Sequence, residues 1–71
     1  MAKVKKTHVF TFAAYDEAEE FMAELEDTCG SLVDVRQNAQ QVIAEGNEEI
    51  LADWAKDTRV KKHYTMEAFN V

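Results

Sequence analysis

The stretch VKKTHVFTFAAYDEAEEFMAELED, residues 4–27, decides the fold, because the spacing of its apolar residues changes halfway along it. In residues 4–12 the β-branched and aromatic residues alternate, which is typical of a strand with Phe10 and Phe12 on one face and Val9 on the other. Further on, apolar residues recur three and four positions apart, as in one stripe of a helix. That stripe consists of Ala18, Phe21, Met22 and Leu25.

The rest of the chain repeats this order. SLVDVRQ (31–37) and QQVIAE (40–45) are predicted strands, and Asn38 is suited to the tight turn between them. Asn47 is a predicted N-cap of a second helix, and HYTMEAFNV (63–71) closes the chain as a strand. The order β-α-β-β-α-β predicts one α+β domain over residues 1–71. We expect the ferredoxin-like arrangement, a four-stranded antiparallel sheet with both helices on one face.

The strand patterns also predict which residues are buried. The expected core comprises Phe10, Phe12, Phe21, Met22, Leu25, Val33, Val35, Val42, Ile50, Leu51, Trp54, Tyr64 and Met66. The other sheet face would carry Val9, Thr11, Leu32, Asp34, Arg36, Ile43, His63, Thr65, Glu67 and Phe69. A slip of one residue in a strand would invert its faces. The exposed apolar residues of that second face predict a possible homodimer surface, formed by Val9, Leu32, Ile43 and Phe69.

Local signals in the first helix predict its ends. Asp16 and Glu19 have the spacing of a capping box, and Gly30 is placed to end the helix in a left-handed conformation.

Little in the chain indicates catalysis or a cofactor. The single cysteine, Cys29, allows no internal disulfide and fits a reducing cytoplasmic location. It would lie near the negative end of a helix, where a thiolate is disfavoured. His8 and His63 could meet on neighbouring strands and bind a metal with Glu67, but the ligand spacing is undefined and two ordinary strand histidines are the preferred interpretation. We therefore predict a protein that is not an enzyme, with no catalytic residue, metal or cofactor.

Charge and the length of the apolar segments argue against two further classes of function. The net charge is −6, no RNA-binding signature accompanies the aromatic residues of the first strand, and no apolar segment is long enough to span a bilayer. We expect no direct binding to nucleic acid or to a membrane.

The acidity is concentrated in one segment. Residues 16–27 contain seven acidic residues and no basic one, whereas the rest of the chain contains seven acidic and eight basic residues. Acidic side chains three and four positions apart repel each other, so this helix gives up local stability. Seven charges over about 18 Å of helix also approach the linear charge density of DNA. The segment is either the solvated side of an amphipathic helix or a binding surface, formed by Asp16, Glu17, Glu19, Glu20, Glu24, Glu26 and Asp27.

Two functional hypotheses follow. The first is a non-catalytic interaction protein whose acidic residues engage a basic partner, plausibly a nucleic-acid-binding protein, as an inhibitor or adaptor. Its charge would imitate DNA in the manner of small phage inhibitors. The alternative is a small-ligand-sensing or regulatory domain that acts as a sheet-mediated homodimer.

Overall fold

A computed structural model describes residues 6–67, which form an α+β fold with one four-stranded antiparallel sheet and two helices. The elements are β1 (Lys6–Thr11), α1 (Tyr15–Cys29), β2 (Val33–Asn38), β3 (Gln41–Gly46), α2 (Glu48–Trp54) and β4 (Lys62–Glu67). The predicted order of strands and helices is confirmed.

The strands lie in the order β2-β3-β1-β4, so that β1 and β3 are central and β2 and β4 form the edges. All three pairings are antiparallel. Val9 lies opposite Ile43 of β3 on one side and opposite Tyr64 of β4 on the other. The central position of β1 explains why its residues 7–10 are all buried.

Both helices cover the same face of the sheet, because residues of α1 and α2 join one core cluster with residues of the strands. Phe21 of α1 lies at its centre, with ring centroids 5.1 Å from Phe10, 4.9 Å from Phe12 and 5.5 Å from Trp54. The rings of Phe10 and Phe12 are tilted against Phe21 and that of Trp54 meets it edge to face, and aromatic pairs of this kind add to the free energy gained by burial. The predicted core residues that are buried here are Phe10, Phe12, Phe21, Leu25, Val33, Val42 and Leu51; Met22, Val35, Ile50 and Trp54 pack partly buried around them.

The last strand was predicted in the wrong register. Tyr64 and Met66 were expected in the core, but they lie on the face opposite the helices and are 40% and 49% exposed. His63 was expected on that open face and instead faces the helices, where its ring stacks on Phe10 at 4.9 Å. Thr65, also expected on the open face, lies opposite His8 on the helix side of β4. Glu67 lies at the end of the strand, opposite Lys6. Alternation along a strand shows which residues share a face, but not which of the two faces packs against the helices. The sequence pattern of β4 therefore could not predict which face is buried.

The helix ends are only partly as predicted. The side chain of Asn47 accepts a hydrogen bond from the backbone N–H of Ile50 at 3.1 Å, which confirms it as the N-cap of α2. In contrast, α1 begins after Ala14 without a side-chain cap, so Asp16 and Glu19 do not form a capping box. Gly30 is right-handed, with φ −59°, and does not end α1 by the left-handed route.

The hairpin between β2 and β3 turns through Ala39 and Gln40, and the positive φ of 55° falls on Ala39 rather than on Asn38. The turn is tied to the start of α1 by side-chain amides. Gln40 donates to the carbonyl of Ala13 at 2.8 Å, and Gln37 donates to the carbonyl of Tyr15 at 3.3 Å.

Candidate interaction surfaces

The seven acidic side chains of α1, which we call the acidic surface, do not share one environment. Asp16, Glu19, Glu26 and Asp27 are exposed, and none of them forms an ion pair with another residue of the 6–67 range. Glu17 is half-buried, and its Oε1 is enclosed without a hydrogen-bond partner among the described residues. The remaining two, Glu20 and Glu24, turn towards a single arginine.

That arginine is Arg59, in the connection between α2 and β4. It donates two hydrogen bonds to the Glu24 carboxylate, at 3.1 and 2.7 Å, and lies 3.6 Å from Glu20. It also donates to Asp57 at 3.0 and 2.8 Å, while its guanidinium lies 5.7 Å from the centre of the Phe21 ring. Planar guanidinium groups suit this combination of forked hydrogen bonds and contact with an aromatic ring.

The Arg59 cluster changes the acid–base properties of its members. Hydrogen bonds from Arg59 hold the pKa of both Glu24 and Asp57 below their usual values. The same hydrogen bonds, first those that Arg59 donates to Asp57 and second those that it donates to Glu24, raise the pKa of Arg59. Arg59 therefore stays charged and offsets part of the acidic surface on the side that contains Glu20 and Glu24. On the side formed by Asp16, Glu19, Glu26 and Asp27, no basic side chain within residues 6–67 lies at ion-pair distance.

A second polar cluster lies under α2. Nδ1 of His8 is 2.9 Å from Nε2 of His63, and Nε2 of His8 is 3.1 Å from Oε1 of Glu48. When a neutral His8 donates its Nε2–H to Glu48, its bare Nδ1 accepts the Nε2–H of His63. The ring of His8 is only 3% exposed, so both of its nitrogens are satisfied inside the fold. The cluster joins β1, β4 and the first turn of α2.

The histidines do meet, as the adjacency of their strands predicted, but on the helix side, where His8 also contacts Glu48. The side chain of Glu67, the third metal ligand that the sequence suggested, lies outside the described part of the chain. Each of the two facing nitrogens points at the other, which is the geometry of a hydrogen bond and not of a shared metal ligand. Within residues 6–67, no group of three His, Cys, Asp or Glu side chains is arranged to hold a metal ion. The thiol residue Cys29 is partly buried and packs against the core.

Burial of His63 predicts a pH-dependent stability. Burial first, and the neighbouring His8 second, lower the pKa of His63. The unfolded chain then binds a proton more readily than the folded one, so stability is full above the ordinary histidine pKa of about 6.5 and falls as pH drops towards the lowered pKa of His63. Urea denaturation at several pH values should show this loss, with a slope of at most about 1.4 kcal/mol per pH unit for one proton.

The matched variant is His63→Gln, whose amide can still donate to Nδ1 of His8 but does not titrate in this range. It should flatten the slope of stability against pH just below about 6.5. Glu48 and His8, the titratable groups that the cluster brings together with His63, are unchanged in this variant. An equal slope in both proteins would show that His63 is not the group responsible.

The sheet face opposite the helices, which we call the open face, comprises twelve residues in regular rows within the described range 6–67. Val9 is buried at 2% between Ile43 and Tyr64, outside the core cluster. The cross-strand rows are Asp34, Glu45, Thr7 and Met66; then Arg36, Ile43, Val9 and Tyr64; then Asn38, Gln41, Thr11 and Lys62.

The predicted dimer surface falls only partly on the open face. Val9 and Ile43 are adjacent there, whereas Leu32 is 54% exposed in the turn before β2 and Phe69 lies outside the described residues. Tyr64 and Met66, which the sequence placed in the core, extend the apolar part of the face towards β4. The charged residues expected on this face, Asp34 and Arg36, are there, on edge strand β2.

Comparison with known proteins adds no assignment: no family model, no curated protein and no solved structure matches this chain. Neither helix in residues 6–67 is both long enough and apolar enough to cross a membrane.

Proposed function

We propose that this chain is a small non-catalytic interaction protein that engages a basic partner protein through the acidic surface of α1. The observation that carries the proposal is that Asp16, Glu19, Glu26 and Asp27 are exposed without an ion pair among the described residues. An unpaired line of carboxylates attracts a basic groove over a distance of about 10 Å at moderate salt.

A partner that normally binds nucleic acid suits this charge distribution, because its groove already carries basic side chains spaced for phosphates. We propose that the protein acts on such a partner as an inhibitor or adaptor that imitates DNA in charge, within the cytoplasm. The ferredoxin-like arrangement belongs to this proposal as well. It is supported by the strand order β2-β3-β1-β4 and by the single core cluster shared by the two helices.

The test is a charge reversal on the unpaired side of the acidic surface. The double variant Glu19→Lys, Glu26→Lys should lose most of the partners that the unsubstituted protein captures from a lysate, and increasing salt should weaken capture by the unsubstituted protein. These positions are preferable to Glu20 and Glu24, because replacing those would also break the Arg59 cluster. Added duplex DNA should displace a partner that is held by DNA imitation.

The control carries the same change of charge elsewhere. Glu49→Lys with Asp53→Lys alters two exposed acidic residues of α2 and should leave capture unchanged. If the α1 double variant keeps the same partners as the control, the acidic surface is only the solvated side of an amphipathic helix and the proposal is wrong.

The alternative function, a ligand-sensing or regulatory domain that dimerises through its sheet, gains one specific observation. Tyr64 and Met66 are exposed on the open face beside the buried Val9. A metabolite that raises the melting temperature, without any protein partner, would favour this alternative.

A further inference from the structure

The two edges of the open face differ. On edge strand β4, the large side chains of Tyr64 and Met66 are 40% and 49% exposed. At the opposite edge there is a shallow depression of about 160 Å³, lined by Asp34, Val35, Arg36, Ile43 and Glu45. A face with exposed large side chains at one edge and a depression at the other can fit a second copy of itself through a two-fold axis.

We infer that the open face binds a second copy of this chain, with the two-fold axis parallel to the strands. Rotation about this axis lays the strands of the second copy across the first in reverse order. Each cross-strand row of one copy then faces the same row of the other. The axis therefore sets Tyr64 of each protomer against Arg36 of the other, and Val9 against Ile43. A two-fold axis perpendicular to the strands would instead set Arg36 against Arg36, which repels.

Charge favours a second copy over an acidic or a basic partner. Within residues 6–67 the open face carries two acidic residues, Asp34 and Glu45, and two basic residues, Arg36 and Lys62, so the formal charge of this described part is zero although the whole chain carries −6. A guanidinium on the face of a tyrosine ring is a favourable contact. Glu45 is already used within the protomer, since it accepts a hydrogen bond from the Thr7 hydroxyl at 2.6 Å.

The area of the open face limits how strongly two copies can associate. Four strands about 4.8 Å apart and six residues long cover about 19 by 20 Å, or roughly 760 Å² for the two protomers together. Stable interfaces bury about 1,200 Å² or more, so we expect weak association that depends on protein concentration rather than a permanent dimer. Because two chains of charge −6 repel each other, added salt should strengthen the dimer.

This salt dependence is opposite to that of the proposed capture of a basic partner, and the dimer uses another surface. Either idea can therefore fail without the other. The measurement is sedimentation equilibrium of the full chain from about 10 µM to about 1 mM. In the unsubstituted protein, NMR signals of the Ile43 and Met66 methyl groups should shift with concentration.

Two substitutions test the axis. Tyr64→Lys sets a lysine against Arg36 of the second copy and should weaken association about tenfold or more, and Arg36→Glu should also weaken it. A mixture of the two variants should associate more tightly than either alone, because Glu at position 36 then meets Lys at position 64. Tyr15→Lys is the matched control, since Tyr15 is 54% exposed on α1, away from the open face.

A protein that is monomeric at about 1 mM, with methyl signals that do not move, would overturn the inference and leave the face to a ligand or another protein. So would equal association of the Tyr64→Lys and Tyr15→Lys proteins, each checked by circular dichroism to be folded. If the mixture associates no better than the single variants, the axis parallel to the strands is wrong.

Discussion

Replacing Phe21 with alanine should cost about 3–5 kcal/mol of unfolding free energy, the typical range for a fully buried phenylalanine. Phe21 is completely buried and contacts Phe10, Phe12 and Trp54, so its removal opens a cavity between α1 and the sheet. A domain of this size has a total stability of about 4–11 kcal/mol. The melting temperature should fall by at least about 12 °C in thermal unfolding followed by circular dichroism.

The matched control is Tyr15→Ala, which removes an aromatic ring of similar size from the same helix. Tyr15 is 54% exposed, so this change should cost less than about 1 kcal/mol. Phe21 also supports the acidic surface, because Arg59 lies over its ring while holding Glu24. Equal losses in the two variants would mean that Phe21 does not hold α1 to the sheet.

Replacing Gly46 with alanine is the second change with a large expected effect, about 2–4 kcal/mol. Gly46 ends β3 with φ +143°, a backbone conformation that residues with a Cβ rarely adopt. A Cβ there would lie 2.7 Å from the Cα of Val33 and would also meet the carbonyl oxygen of Leu32. The end of the β2–β3 pair would have to open, although Gly46 itself is exposed.

Urea denaturation measures this loss, and Gly46→Val should lose more because its side chain is larger and branched. Ser31→Ala, an exposed change in the neighbouring turn, is the control and should alter stability by less than about 0.5 kcal/mol. A Gly46→Ala protein as stable as the control would show that the backbone at position 46 can relax at little cost.

The candidate surfaces were predicted from the sequence to different degrees. The acidic surface needed only the helical stripe of Ala18, Phe21 and Leu25, because the acidic residues lie at the other positions. Its partial neutralisation by Arg59 could not be predicted, since Arg59 is 35 positions from Glu24 along the chain and comes close only when the fold is complete. The adjacency of their strands predicted that His8 and His63 could meet. The contact of His8 with Glu48 was not predicted, because the sequence does not show where α2 lies over the sheet.

By itself, the sequence determined the order of the elements and most of the core. Alternation and helical spacing are local, and at Phe10, Phe12, Phe21 and Leu25 they agree with what the fold buries. The tertiary structure alone decided which face of β4 turns inward. Pairing with β1 places His63 beside Phe10 and His8, and leaves Tyr64 and Met66 exposed on the open face. Alternation shows only which residues of a strand share a face, so packing against neighbouring elements decides which face is buried.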